Sequence, residues 1–265
     1  MGKTVLITGA SSGIGKELAL YHASKGGNLV IVARRENLLN ELKTYIKSRY
    51  NVKVKVIAID LTKPESPERI GKILNNEDIE IDYLINNAGF GGYGKFNTRE
   101  LNIDLNMIDL NIKALVSLTH IFLNKMIKRN YGKIMNIASS AGFLPGPLQS
   151  VYYATKAFVI SFSEGISEEL KDKNITITTL CPGYTETEFK DIASMNGSYI
   201  TKITGVSPKK VAIYGYKAME KGRLIAIYPR YLSFLIRYLL PFFPEKLKIK
   251  LSKKLMEKGK IKKEN

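Results

Sequence analysis

One cysteine, two histidines and a shortage of acidic side chains set the first limits on this chain of 265 residues. A lone Cys181 forms no intramolecular disulfide and builds no thiolate zinc site, so a reducing compartment, the cytoplasm, is the expected home. His22 and His120 are isolated, outside any ligand spacing, and acidic clusters for divalent ions are absent, so no metal is expected. Long apolar runs are missing as well. The strongest, 231–243, is interrupted by Arg237 and Pro241 and falls short of the ~20 residues that span a bilayer. Residues 4–7 run straight into glycines, too short for the core of a signal peptide, and no targeting segment is expected. Acidic residues number 24 against 41 basic ones, a formal charge of +17. Of those 41, however, 32 are Lys and only 9 Arg. Planar guanidinium is the usual instrument for bidentate phosphate and base contacts, so the excess reads as a solvated lysine surface rather than a nucleic-acid footprint.

What is present is an ordinary globular composition, 45% hydrophobic and 25% charged. Short runs rich in Val, Ile and Leu occur at 4–7, 29–32, 54–59, 83–85, 133–137 and 175–180. They lack strict alternation, as strands buried on both faces of a parallel sheet do. Helical patterns at 13–25, 36–50, 104–129 and 152–171 fall between them, which predicts a doubly wound parallel α/β sheet with helices on both faces. After Pro182 a polar stretch, 185–205, precedes a helix at 207–221 capped by Ser207 and a last short strand at 224–227. There is no repeat and no linker. One domain over 1–230 is expected, followed by a helical extension, 231–265, that is apolar first and Lys-rich afterwards.

Where the first strand meets the first helix the sequence reads Thr8-Gly9-Ala10-Ser11-Ser12-Gly13-Ile14-Gly15. A glycine-rich turn at that place lets backbone approach a pyrophosphate, and the helix N-terminus adds amide donors and a favourable dipole. About 20 residues on, where an acidic residue would bind the 2′-hydroxyl of NAD, stand Arg34 and Arg35. That pair suits a 2′-phosphate, with Ser12 as a further contact, so NADP(H) is expected over NAD(H), although Glu36 is a rival ribose ligand.

Other motifs follow in order. Asp60 follows the third strand, Asn86-Asn87-Ala88-Gly89 follow the fourth, Asn111 lies in the next helix, Ser139 follows the fifth strand, Tyr152 and Lys156 form Y-x-x-x-K, and Pro182, Gly183 and Thr187 form P-G-x-x-x-T. Together with Gly9, Gly13 and Gly15 spaced as G-x-x-x-G-x-G, this order resembles the short-chain dehydrogenase/reductase family over residues 3–230, within a branch of broad ketone and aldehyde reductases related to ketoacyl and hydroxysteroid reductases. The resemblance implies a Rossmann-like fold and a cofactor cradle of Gly9, Ser11, Ser12, Gly13, Ile14, Gly15, Arg34, Arg35, Asp60, Asn87, Ala88, Gly89, Tyr152, Lys156, Pro182, Gly183 and Thr187. Asp60 would contact the adenine. It also implies a catalytic set of Asn111, Ser139, Tyr152 and Lys156, with Lys156 on the nicotinamide ribose and Asn111 in a proton-relay chain of water.

The chemistry of these residue types agrees. Tyr152 and Lys156 lie one helical turn apart on one face, and a nearby ammonium lowers a phenol from its usual ~10 toward the working range of an acid-base catalyst. Ligands in such sheets bind beyond the carboxyl ends of the strands, where Phe90, Tyr93, Phe143, Leu144, Leu148, Tyr184 and Phe189 would form an apolar pocket under a lid at 185–205. The expected partner is a small carbonyl compound or its alcohol, the expected assembly a dimer or tetramer of the chain. Two other readings are a non-catalytic NADP sensor and a lipid-substrate reductase working at a membrane surface. For the extension, nine Lys against three Glu over 245–265 allow either peripheral contact with an anionic membrane or a helix packed on the cleft or a subunit partner.

Overall fold

The computed structural model describes residues 2–202 and 205–257. Seven parallel strands form one sheet in the order β3-β2-β1-β4-β5-β6-β7: β1 (Thr4–Thr8), β2 (Asn28–Ala33), β3 (Val54–Ala58), β4 (Tyr83–Asn86), β5 (Gly132–Ile137), β6 (Ile175–Pro182) and β7 (Ile225–Tyr228). Successive side chains of each strand enter different layers. Val5, Ile7, Leu29, Ile31 and Ile85 pack on one face against α1 (Gly13–Ala23), α2 (Glu36–Lys47) and the later α9 (Pro208–Glu220). Leu6, Val30, Val32, Leu84 and Ile134 pack on the other against α3 (Ser66–Asn76), α5 (Leu115–Arg129) and α6 (Ser150–Glu169). Burial on both faces is why the strands are rich in Val, Ile and Leu without strict alternation.

The long helix expected at 104–129 is divided. It runs as α4 (Leu101–Ile108), a π-helical turn (Asp109–Ala114) and α5. The remaining helices are short: α7 (Phe189–Ile192) and α8 (Tyr199–Lys202) lie within the polar stretch after β6, and α10 (Arg230–Phe234) and α11 (Glu245–Met256) belong to the extension. His22 is a core histidine. Burial lowers its pKa, and its Nε2 lies 2.9 Å from the Lys3 carbonyl while Nδ1 lies 2.8 Å from the Tyr216 hydroxyl. The neutral ring therefore donates to Lys3 and accepts from Tyr216, tying α1 to β1 and α9.

Strand order reverses between β1 and β4, which are hydrogen-bonded neighbours with Ile7 opposite Ile85. At such a switch point the connections leave in opposite directions and open a crevice beyond the strand ends. The glycine turn and Asn87 to Gly89 are the two lips of that crevice.

Candidate active site

The crevice widens into a cavity of about 920 Å³ that runs from the glycine turn to the extension. At one end Gly9 has φ +65°, and a Cβ there would stand 2.8 Å from Asn87 Nδ2 and 2.9 Å from the Ala88 Cα. Glycine is required both for that backbone conformation and for the approach. Asn87 Nδ2 donates to the carbonyls of Thr8 and Gly9 at 2.9 and 3.1 Å, and Thr8 Oγ1 accepts from the amides of Asn87 and Ala88 at 3.0 Å each. The two lips are thus laced together. α1 starts at Gly13 with no acidic residue in its first turn, leaving its amide end to an incoming anion.

Arg35 and Glu188 close the rim. The Arg35 guanidinium donates to Ser11 Oγ at 3.1 Å, Ser12 Oγ at 2.9 Å and Glu188 Oε2 at 2.9 Å. That bond holds the Glu188 carboxyl below the usual range. Arg34 lines the same rim beside Asp60. Partial burial opposes ionisation of Asp60, yet bonds from the amide and hydroxyl of Thr62, with the charge of Arg34, hold its carboxyl low.

Deeper in, β5 delivers Ser139 and α6 delivers Tyr152 and Lys156 to one wall. The Ser139 hydroxyl accepts from the Ala141 amide at 3.1 Å and donates to the Pro182 carbonyl at 3.5 Å, and it lines the same wall as the Tyr152 phenol. Lys156 Nζ donates to the Ile137 carbonyl at 2.8 Å and lies 5.8 Å from the centre of the Tyr152 ring. Asn111 sits in the π-helical turn behind this wall. Its Oδ1 accepts from the Phe90 amide at 3.1 Å, and its Nδ2 donates to the Phe90 carbonyl at 3.0 Å and Thr155 Oγ1 at 3.1 Å. A Cβ on Gly89 would meet Asn111 Oδ1 at 2.9 Å and Lys156 Nζ at 3.4 Å, so Asn111 and Lys156 face each other across a gap only glycine leaves open.

A family model for short chain dehydrogenases matches residues 3–196. The chain belongs to the short-chain dehydrogenase family. Very-long-chain 3-oxoacyl-CoA reductase-B of Danio rerio is 36% identical to this short-chain dehydrogenase over 196 residues, 72% of this chain but only 62% of that protein. Among solved structures, a short-chain dehydrogenase from Sphingobium yanoikuyae in complex with NADPH is 33% identical with a TM-score of 0.82, covering 88% of this chain and 90% of that one. A bulky-bulky ketone specific alcohol dehydrogenase from Comamonas testosteroni is 30% identical with a TM-score of 0.76, over 92% and 95% of the two chains.

The cavity gathers nearly the whole cofactor set expected from sequence: Gly9, Ser11, Ser12, Gly13, Ile14, Arg34, Arg35, Asp60, Asn87, Ala88, Gly89, Tyr152, Lys156, Pro182, Gly183 and Thr187. Gly15 stands one layer back, where a Cβ would strike the Gly9 carbonyl. The pocket expectation is corrected at three positions. Tyr93, Leu148 and Phe143 do not line the cavity: Tyr93 and Leu148 pack with Met107 and Tyr153, and Phe143 packs beside Val159 and Ile227. Phe90, Leu144, Tyr184 and Phe189 do reach it, the Phe189 ring 5.2 Å from that of Tyr152. Parts of the wall had no sequence signal: Met195 and Ile200 from the expected lid, and Leu232, Ile236, Leu255 and Met256 from the extension. Ile203 and Thr204 of that lid lie outside the described residues, as do residues 258–265 of the extension.

The protonation states also differ from expectation. Burial drives the Tyr152 phenol above its ordinary value, against a smaller pull from the neighbouring Ser139 hydroxyl. Burial in turn brings the Lys156 ammonium down to about 8. The pair is therefore a neutral phenol beside an ammonium that loses its charge only slightly above neutrality.

Proposed function

We propose that this protein is an NADP(H)-dependent carbonyl reductase acting on ketones or aldehydes with large apolar substituents. The observation that carries the reading is the convergence, in one cavity, of the glycine turn, an Arg34 and Arg35 rim, and Ser139, Tyr152 and Lys156. The turn 9–15 would hold the pyrophosphate. Arg34, Arg35, Ser11 and Ser12 would hold the 2′-phosphate, Asp60 the adenine, and Lys156 the nicotinamide ribose, with Asn87, Ala88, Gly89, Pro182, Gly183 and Thr187 completing the cradle. Bound there, NADPH supplies the hydride.

The chain's own residues do the rest. The Ser139 hydroxyl and the Tyr152 phenol donate hydrogen bonds to the carbonyl oxygen, stabilising the alkoxide as it develops. Tyr152 then gives that oxygen its proton, which yields the alcohol. A phenol held neutral by burial is the correct state for a donor. The Lys156 ammonium offsets the phenolate left behind, and the gap it shares with Asn111 is where water passes back a proton. Met195, Ile200, Leu232, Ile236, Leu255 and Met256 line the far end and receive the apolar substituent. The relatives named for very-long-chain 3-oxoacyl-CoA and for bulky ketones support that choice of substrate.

NADPH oxidation against a panel of long-chain ketones, aldehydes and 3-oxoacyl thioesters tests the reading. Turnover is expected to increase with apolar chain length, and competitive titration to show NADPH binding ahead of NADH. Tighter NADH binding would sink the cofactor assignment, and no turnover on any member would sink the reaction. The unit that folds and reacts is residues 1–230, and 231–265 is an extension that adds part of the pocket. A cytoplasmic, reducing setting fits the single buried Cys181, and no helix among the described residues is long and apolar enough to cross a membrane. Leu101, Ile103 and Leu105 of α4 and Phe158 of α6 are exposed, an apolar face suited to pairing of identical chains as a dimer or tetramer, which light scattering measures.

A further inference from the structure

The extension carries its apolar side chains on the outside. From α10 through the π-helical and 3₁₀ turns that follow, Leu232, Ile236 and Leu240 face the body of the protein. The opposite side presents Tyr231, Phe234, Leu235, Tyr238, Leu239 and Phe242, with Tyr231, Tyr238 and Phe242 exposed at 67%, 61% and 83%. α11 repeats the inversion. Its inner stripe is Lys248, Ser252 and Met256, while Leu247, Leu251 and Leu255 are each at least 40% exposed. A helix that covers a core ordinarily turns its leucines inward, so both segments present a face that has no partner among the described residues. That face is continuous with the cavity, because Tyr231 and Leu255 also line its apolar end.

Charge narrows the choice of partner. Over residues 230–257 stand seven basic side chains and two acidic ones, the lysines set among the exposed leucines of α11. Two copies meeting through this face about a two-fold axis would bring like charge onto like charge, which costs association. An anionic lipid surface satisfies both features. Tyrosine and phenylalanine rest at headgroup depth, and each lysine near the surface adds about 1 kcal/mol of attraction to lipid phosphates.

We infer that residues 231–256 dock on the surface of an anionic lipid bilayer and that the apolar end of the cavity opens toward that surface. Docking is independent of the reaction, so a Tyr152→Phe chain binds membranes as the unaltered one does.

The chain contains no tryptophan, so Phe242→Trp gives the full-length protein a single indole at a site too exposed for the change to disturb folding. With vesicles of phosphatidylcholine mixed with phosphatidylglycerol, its emission is expected to shift to the blue and to be quenched by lipids brominated on their acyl chains. Vesicles of phosphatidylcholine alone are expected to leave it unchanged. The double variant Lys250→Glu, Lys254→Glu is expected to weaken binding at least ~tenfold, and Phe242→Ser to lose co-flotation with the anionic vesicles while keeping the molecular mass unaltered. Absence of a shift with anionic vesicles, or an equal shift with phosphatidylcholine alone, overturns the inference. So does a fall in mass on Phe242→Ser, which would make the face a contact between copies.

Discussion

The roles of Tyr152 and Lys156 turn on which of them holds a proton. If Tyr152 is the proton donor, Tyr152→Phe keeps the ring, its packing against Phe189 and the cofactor cradle, and removes only the hydroxyl. Turnover should fall by about 10²–10⁴, the usual worth of a positioned acid, while NADPH affinity stays within experimental error by equilibrium titration. Wild-type turnover in that variant would refute the role. Lys156 makes a separate prediction through its pKa of about 8. Below that value the ammonium is present to offset the phenolate, and above it the charge is lost, so kcat/KM for reduction should decline as pH rises through about 8. A profile level up to pH ~10, near the pKa of an unperturbed lysine, would remove Lys156 from the proton machinery. Stability carries the opposite sign. An unfolded lysine keeps its proton to ~10.4, so between about 8 and that value the unfolded chain binds more protons than the folded one, and Lys156 makes the fold more stable with rising pH. The substitution Lys156→Met should therefore abolish reduction and raise the midpoint of urea unfolding at pH 7, two outcomes a merely packed lysine would not combine.

At the scale of elements, what positions the site is partly a buried charge. Arg99 and Asp104 join the loop after β4 to α4 through a two-pronged contact, NH2 to Oδ1 at 2.6 Å and Nε to Oδ2 at 3.2 Å, with side chains only 11% and 5% exposed. Removing one partner leaves the other charge buried and alone, so Arg99→Met should cost about 3–5 kcal/mol in urea unfolding. A cost under ~1 kcal/mol would mean that the pair is solvated as surface pairs are. Nothing in the sequence announces this pair. The strands were legible because Leu6, Val30 and Leu84 alternate with equally apolar neighbours that enter the opposite layer. The glycine turn, Ser139, Tyr152 and Lys156 were legible because each occupies a fixed place after a strand or on one helical face. The π-helical turn at Asn111 was not, since a change of hydrogen-bond register leaves the apolar period almost intact. α3 lies outside the helical patterns expected from sequence, although Ile70, Ile73 and Leu74 have helical spacing. Glu188 meets Arg35 across 153 residues, and no local pattern encodes such a pairing. It predicts a consequence for cofactor choice: a 2′-phosphate must compete with that carboxylate, so Glu188→Gln should lower the KM for NADPH, and an unchanged KM would place the phosphate elsewhere.

For the whole molecule the governing quantity is the charge of +17. The ion pairs among the described residues are mostly exposed, as between Lys171 and Glu168 or Lys113 and Asp109, and such pairs contribute little. Unpaired lysines outnumber them, so mutual repulsion should dominate the long-range electrostatics and oppose the compact state. Screening over ~10 Å at 0.1 M salt weakens that repulsion. Raising sodium chloride at constant pH should therefore raise Tm by a few degrees, since about 1 kcal/mol corresponds to ~2–4 °C in a domain of this size. A fold held by its surface ion pairs would show the reverse, a Tm that falls with salt. The same salt should weaken attachment of the extension to anionic vesicles, because there the lysines face opposite charge rather than like charge. Folding strengthened and vesicle binding loosened across a single salt series is thus the combination required if the lysine surplus is a self-repelling surface whose C-terminal part is matched to lipid phosphate.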